Sequence, residues 1–128
     1  MDARTELDND LSRQVIGCAM EVHRTLGPGL LEGAYEQALA FELSTSGLQF
    51  VRQKPLPVDY KGATLNASYR VDFIIENSLI LELKAVDQLM PVHTAQLLSY
   101  LRLSGYPFGL LINFNVMRLK DGLKRLIK

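Results

Sequence analysis

The sequence predicts an α/β (α+β) fold, a mixed central sheet flanked by helices, and three observations carry that prediction. Two stretches with helical spacing come first, and several strand-like stretches follow. A third helical stretch separates two strongly apolar strands and is long enough to cross a sheet and make them parallel neighbours. Residues 107–114 (PFGLLINF) are almost uniformly apolar, the pattern of a strand covered on both faces. The chain has 128 residues, enough for one core, so residues 1–128 are expected to form a single domain.

Each element has its own signal. Over residues 9–25, Leu11, Val15, Ile16, Ala19, Met20 and Val22 recur at helical spacing, and Gly27-Pro28-Gly29 breaks the chain. Over residues 30–46, Leu31, Ala34, Tyr35, Ala38, Leu39 and Leu43 mark a second stripe, with Gly47 placed to end it. Residues 48–54 and 56–60 are two candidate strands, with a turn near Lys61-Gly62. Residues 69–76 (YRVDFIIE) and 79–86 (LILELKAV) are the clearest strand pair. Pro91 opens the crossover helix and Gly105 stops it. The apolar strand 107–114 follows, then a last strand or short helix.

The strand pair raises a chemical question, because Glu82 and Lys84 sit inside an otherwise apolar strand. Strand side chains alternate faces. Tyr69, Val71, Phe73 and Ile75 therefore share one face, with Leu79, Leu81, Leu83 and Ala85 on the matching face of the next strand. The other face mixes Arg70, Asp72, Ile74 and Glu76 with Ile80, Glu82, Lys84 and Val86. A one-residue slip would turn the whole set over. A two-residue loop at Asn77-Ser78 mismatches the faces; a three-residue loop, Glu76-Asn77-Ser78, matches them and puts Asp72 opposite Glu82. Two facing carboxylates repel, and a cation relieves them. Magnesium takes a few carboxylate oxygens and leaves room for water and phosphate. Lys84, on the same face, can orient a water or stabilise phosphate charge. The plainer reading is a solvated sheet face carrying an ion ladder of Arg70, Asp72, Glu82 and Lys84.

Bulk composition narrows the classes. Lys plus Arg is 14 and Asp plus Glu is 14, so no global basic field announces nucleic acid, although a small basic cleft is still allowed. Charge is uneven at the ends. Asp2, Glu6, Asp8 and Asp10 oppose Arg4, while Arg118, Lys120, Lys124, Arg125 and Lys128 oppose Asp121; the basic tail could touch phosphates, and a solvated face is the expectation for it. One cysteine and two histidines exclude a disulfide framework and a Cys/His zinc site within one chain. Cys18 is expected in the core. No secretory leader and no membrane span is read, so no membrane partner is expected and the expected compartment is the cytoplasm.

Asp72, followed after nine residues by Glu82-Leu83-Lys84, resembles the D…(D/E)xK signature of the PD-(D/E)XK nuclease superfamily. Gly29-Leu30-Leu31-Glu32-Gly33-Ala34-Tyr35 matches the G-x-x-E-x-x-Y motif of the bacterial and archaeal GxxExxY family placed in it. Tyr69-Arg70-Val71-Asp72-Phe73 is similar to that family's segment around its aspartate, and Gln96-Leu97-Leu98-Ser99-Tyr100 resembles the superfamily's Q-x-x-x-Y helix. Val71 stands where the name-giving signature has proline.

The resemblance implies a restriction-endonuclease-like α-β-β-β-α-β core and a set of roles. Asp72, Glu82 and Glu32 would be metal ligands, with the Leu83 carbonyl as a further oxygen, for Mg²⁺ or Mn²⁺. Lys84 would position water or stabilise developing charge, and Gln96 would support the site. The implied activity is metal-dependent phosphodiester hydrolysis on nucleic acid, DNA rather than RNA. A homodimer or partner protein would supply specificity, since no helix-turn-helix or zinc finger is present. The alternatives are a non-catalytic nucleic-acid-binding or assembly module that keeps the fold, and a structural homodimer with a solvated polar face. Among the neighbours, Tyr35 is expected to pack, Glu36 to support the site or be solvated, His93 to sit at a helix start and Arg70 to form a structural ion pair.

Overall fold

The computed structural model describes residues 3–127, with side chains over 10–66 and 69–127. Asp2 and Lys128, and the side chains of Arg4, Glu6 and Asp8, all part of the uneven terminal charge, lie outside the described residues.

Helix α1 (Ala3–Leu26) buries Leu11, Val15, Ala19 and Val22, a stripe with the three- and four-residue spacing of one helix face. Gly27, at φ 69°, ends it by returning its N–H to the His23 carbonyl at 2.8 Å. Helix α2 (Glu32–Thr45) buries Tyr35, Leu39 and Leu43 at successive i+4 positions. Cys18 is buried between the two, its Sγ 3.3 Å from Ser46 Oγ.

Five strands follow: β1 (Phe50–Tyr60), β2 (Ala63–Ile75), β3 (Leu79–Lys84), then α3 (Pro91–Ser104), β4 (Phe108–Asn113) and β5 (Leu123–Ile127), with a 3₁₀ turn at Leu119–Gly122. They form one sheet in the order β1-β2-β3-β4-β5. Only β3 and β4 run parallel, joined by α3 as the crossover. The run α2-β1-β2-β3-α3-β4 is the expected α-β-β-β-α-β core, and β4 is flanked on both sides. Gly105, at φ 80°, caps α3. The chain ends in both of the forms expected, a short helix and a strand.

Helices α1 and α2 cover one face of the sheet, packing on Phe73, Ile75, Leu79, Leu81, Leu83, Leu110 and Ile112. Helix α3 covers the other, packing Leu97, Tyr100 and Leu101 on Ile74, Ile80 and Leu111. The β2–β3 register pairs Phe73 with Leu81 and Ile75 with Leu79, across the three-residue loop that face matching requires. Glu76 and Asn77 both have positive φ there, closing a tight turn from the Ile75 carbonyl to the Ser78 N–H.

Three expectations are corrected. Residues 48–54 and 56–60 are one strand, β1: it lies at the sheet edge, where Pro55 and Pro57 cost no ladder bond on the open side, and the register shifts between Leu56 and Val58. Val71 does not share a face with Phe73; it packs with Leu56 under α3. The alternation breaks at Asp72, opposite Gln53, whose φ of 51° bends the partner strand. Among the described residues Arg70 makes no ion pair; its Nη1 donates to the Gln53 carbonyl at 3.2 Å.

Candidate active site

Beyond Phe73 and Leu81 the β2–β3 ladder gives way to carboxylates. The Asp72 N–H donates to Glu82 Oε2 at 2.9 Å, and the Leu83 N–H donates to Asp72 Oδ2 at 2.8 Å. Each acid thus takes a backbone donor of the opposite strand, and the two side chains are held side by side. Glu82 points to the α3 face and is only 5% exposed, while Asp72 is half-buried. This burial excludes the solvated ion ladder. A buried carboxyl beside a second carboxylate holds its proton tightly. Burial first, and then the Asp72 charge, pushes the Glu82 pKa up to about 9.

Lys84, two residues along β3, turns to the same face and donates from Nζ to Gln96 Oε1 of α3 at 3.3 Å. Strand and crossover helix therefore fix the lysine together. The carbonyl of Lys84 accepts the Phe114 N–H at 2.9 Å. Just beyond, the buried Asn113 side chain clamps Val86, accepting its N–H at 3.0 Å and donating to its carbonyl at 2.9 Å. Of Leu83, the side chain is in the core and the N–H is engaged by Asp72.

Glu32 opens α2 and is exposed at the rim. Partial desolvation raises its pKa, with the Asp72 and Glu36 charges adding to the shift and Lys84 opposing it. Helix α2 thus brings a third carboxylate into the field of Asp72 and Lys84. Glu36, one turn on, is tied down by Arg52 at 2.8 Å and by Gln53 Nε2 at 2.7 Å. The same Gln53 amide reaches Asp72 Oδ1 at 3.2 Å. Gln53 is a site neighbour with no signal at the level of sequence, since its role depends on its left-handed backbone.

The remaining neighbours have structural roles. Tyr35 is fully buried and stacks on Phe114 at 4.6 Å. Its hydroxyl donates to the Gly27 carbonyl at 2.6 Å and accepts the Leu30 N–H at 3.1 Å. His93 accepts the Met90 N–H on Nδ1 at 2.9 Å and caps α3.

The donor set is entirely oxygen, which suits a hard divalent cation. Among the described residues no three His, Cys, Asp or Glu side chains close into a metal-holding cluster. Two adjacent carboxylates with a third at the rim still fit magnesium or manganese, which keep several coordination positions for water and phosphate.

The family model of the PD-(D/E)XK nuclease superfamily matches residues 9–126. No curated protein and no solved structure matches the chain. Among the described residues no helix is long and apolar enough to cross a membrane. The match runs from within α1 to within β5, and the chain belongs to the PD-(D/E)XK nuclease superfamily.

Proposed function

We propose that the chain, as a single nuclease-like domain over residues 1–128 of the GxxExxY type, is a divalent-metal-dependent nuclease that hydrolyses phosphodiester bonds in DNA. One observation carries the reading: Asp72 and a buried Glu82 are held together by crossed backbone bonds, with Lys84 on the same face. A protein gains no stability from burying a carboxyl group against a carboxylate. Such a pair is understandable as a site for a cation.

Asp72 and Glu82 would hold Mg²⁺ or Mn²⁺, with Glu32 and the Leu83 carbonyl as further donors. When bound, the cation would supply Lewis-acid stabilisation of phosphate charge. Lys84 orients the attacking water and offsets charge developing on the phosphate oxygens. Gln96 is a positioning residue that holds Lys84 at its amide oxygen. Glu32, at the rim with a raised pKa, would give up its proton on joining the cation.

A second reading, a binding or assembly module that keeps the fold without cleaving, is favoured by the engagement of both acids with backbone N–H groups and, among the described residues, the lack of a closed three-acid cluster. Cleavage of single- and double-stranded DNA and of RNA with Mg²⁺ or Mn²⁺ separates the two. Cleavage by the wild type that is lost in Asp72→Asn and Lys84→Met supports the nuclease. Intact substrate under all conditions, with metal still bound, supports the module.

A further inference from the structure

A second concavity adjoins the carboxylate pair and none of the roles above uses it. It is a groove of about 450 Å³ between the outer part of the β1–β2 hairpin and α3. Val58, Leu65 and Leu103 form its apolar walls, and Tyr69, Ser99 and Tyr100 complete them. The Tyr69 and Tyr100 rings meet at 6.2 Å between centroids, tilted by 58°. Tyr100 is buried, while Tyr69 leaves 47% of its surface open.

Two links join the groove to the site. Gln96 lines the groove and also accepts from Lys84 Nζ. The Tyr100 hydroxyl has its pKa raised by burial and then by the Glu82 charge, which puts it within the field of the carboxylates. Among the described residues no Lys, Arg, Asp or Glu lines the groove, so a phosphate does not belong there. A flat, largely apolar ring with hydrogen-bonding edges does. Its volume is within the range of pockets that enclose small organic ligands. An open tyrosine ring offers a stacking surface, and Gln96 and Ser99 offer partners for ring edges. A base paired within a duplex presents neither its face nor its full edge.

Resting on the nuclease reading, we infer that this groove receives an unpaired nucleobase next to the phosphate addressed by Lys84, so that the substrate is single-stranded or unpaired at the cut. Tyr69 is the stacking platform. Tyr69 lies midway along β2, and its open ring leaves one side of the groove to solvent.

The test compares a single-stranded oligonucleotide containing 2-aminopurine, its blunt duplex, and the same duplex with the 2-aminopurine left unpaired. Binding is read by fluorescence with Ca²⁺ present, and cleavage separately with Mg²⁺. We expect the single strand and the unpaired duplex to bind at least about tenfold more tightly than the blunt duplex, with quenching of the 2-aminopurine. Tyr69→Ala should lose about tenfold in that binding, within the range measured for stacking aromatics, while Tyr69→Phe retains it. Leu103→Trp fills the groove without removing either tyrosine and should weaken the same binding, which covers the case of a Tyr69→Ala chain that fails to fold. Cleavage with equal binding of paired and unpaired substrates, unaffected by either groove variant, overturns the groove and leaves the nuclease standing. The expected binding pattern without any cleavage supports the groove and overturns the nuclease. No binding of any of the three overturns both.

Discussion

In the proposed function the chemistry turns on Glu82, and its burial beside Asp72 has a measurable consequence for stability. Its pKa is raised from 4.5 to about 9 in the folded chain, so the native state holds a proton that the unfolded state has released. The sign follows from linkage: stability from protonated Glu82 is full below pH 4.5 and is lost as pH rises toward 9. We therefore predict that the melting temperature of chelator-treated protein falls between pH 5 and 9, and that Glu82→Gln flattens this fall, in thermal unfolding followed by circular dichroism. Asp72→Asn should stabilise the metal-free chain by removing the like charge while abolishing metal affinity. At Lys84 the expectation is kinetic: Lys84→Met should lower cleavage by about 100-fold or more, the scale of a positioned proton-transfer or charge-stabilising group, and leave metal binding in place. The facing of Asp72 and Glu82 was readable in the sequence because face matching allows only the three-residue loop. The contacts of Gln53 and Arg70 were not, because they follow from a left-handed residue within a strand that no local pattern announces.

At the scale of elements, the G-x-x-E-x-x-Y stretch acts as a hinge between α1 and α2 that sets the height of Glu32. Gly29, at φ 101°, takes a backbone conformation that a side chain resists, and its N–H bonds Asn115 Oδ1 at 3.0 Å. Tyr35 then ties the loop from within through Gly27 and Leu30. Tyr35→Phe removes both bonds and should cost about 1–3 kcal/mol in denaturant unfolding, with weakened metal affinity as Glu32 loosens. A second close fit lies at the end of β4. A Cβ at Gly122 would run into the Asn113 carbonyl, so Gly122→Ala should destabilise by about 1–3 kcal/mol, the cost of overpacking. If its melting temperature matches that of the wild type, Asn113 is not the rigid clamp described above. Helix starts and stops were legible from Pro91, Gly47 and Gly105, each a residue with a fixed backbone preference. The unity of β1 was not. Pro55 fell between the two candidate strands, and the edge position, a property of the whole sheet, is what makes it and Pro57 harmless.

Over the whole molecule, balanced charge and a small mixed sheet leave the work of recognition to a short stretch where β2 and β3 part between two helical layers. The parallel β3–β4 pair and its crossover were readable because an apolar strand, a helix and another apolar strand admit few arrangements. The groove beside α3 was not, because it depends on the turn of β2 at Asp72 that carries Tyr69 and Val71 to the α3 side. A cation that binds only the folded chain must stabilise it, by about 2.7 kcal/mol at a concentration 100 times its Kd. That gain should be larger at pH 8 than at pH 6, because Glu82 must release its proton to bind the cation. The most direct measurement is calorimetric titration of Mn²⁺ and Mg²⁺ into the wild type and into Asp72→Asn, with DNA cleavage assayed on the same samples. Saturable binding and cleavage by the wild type, both absent in Asp72→Asn, are the expected result. No heat of binding to the wild type even with DNA present would contradict a metal-dependent nuclease built on Asp72 and Glu82.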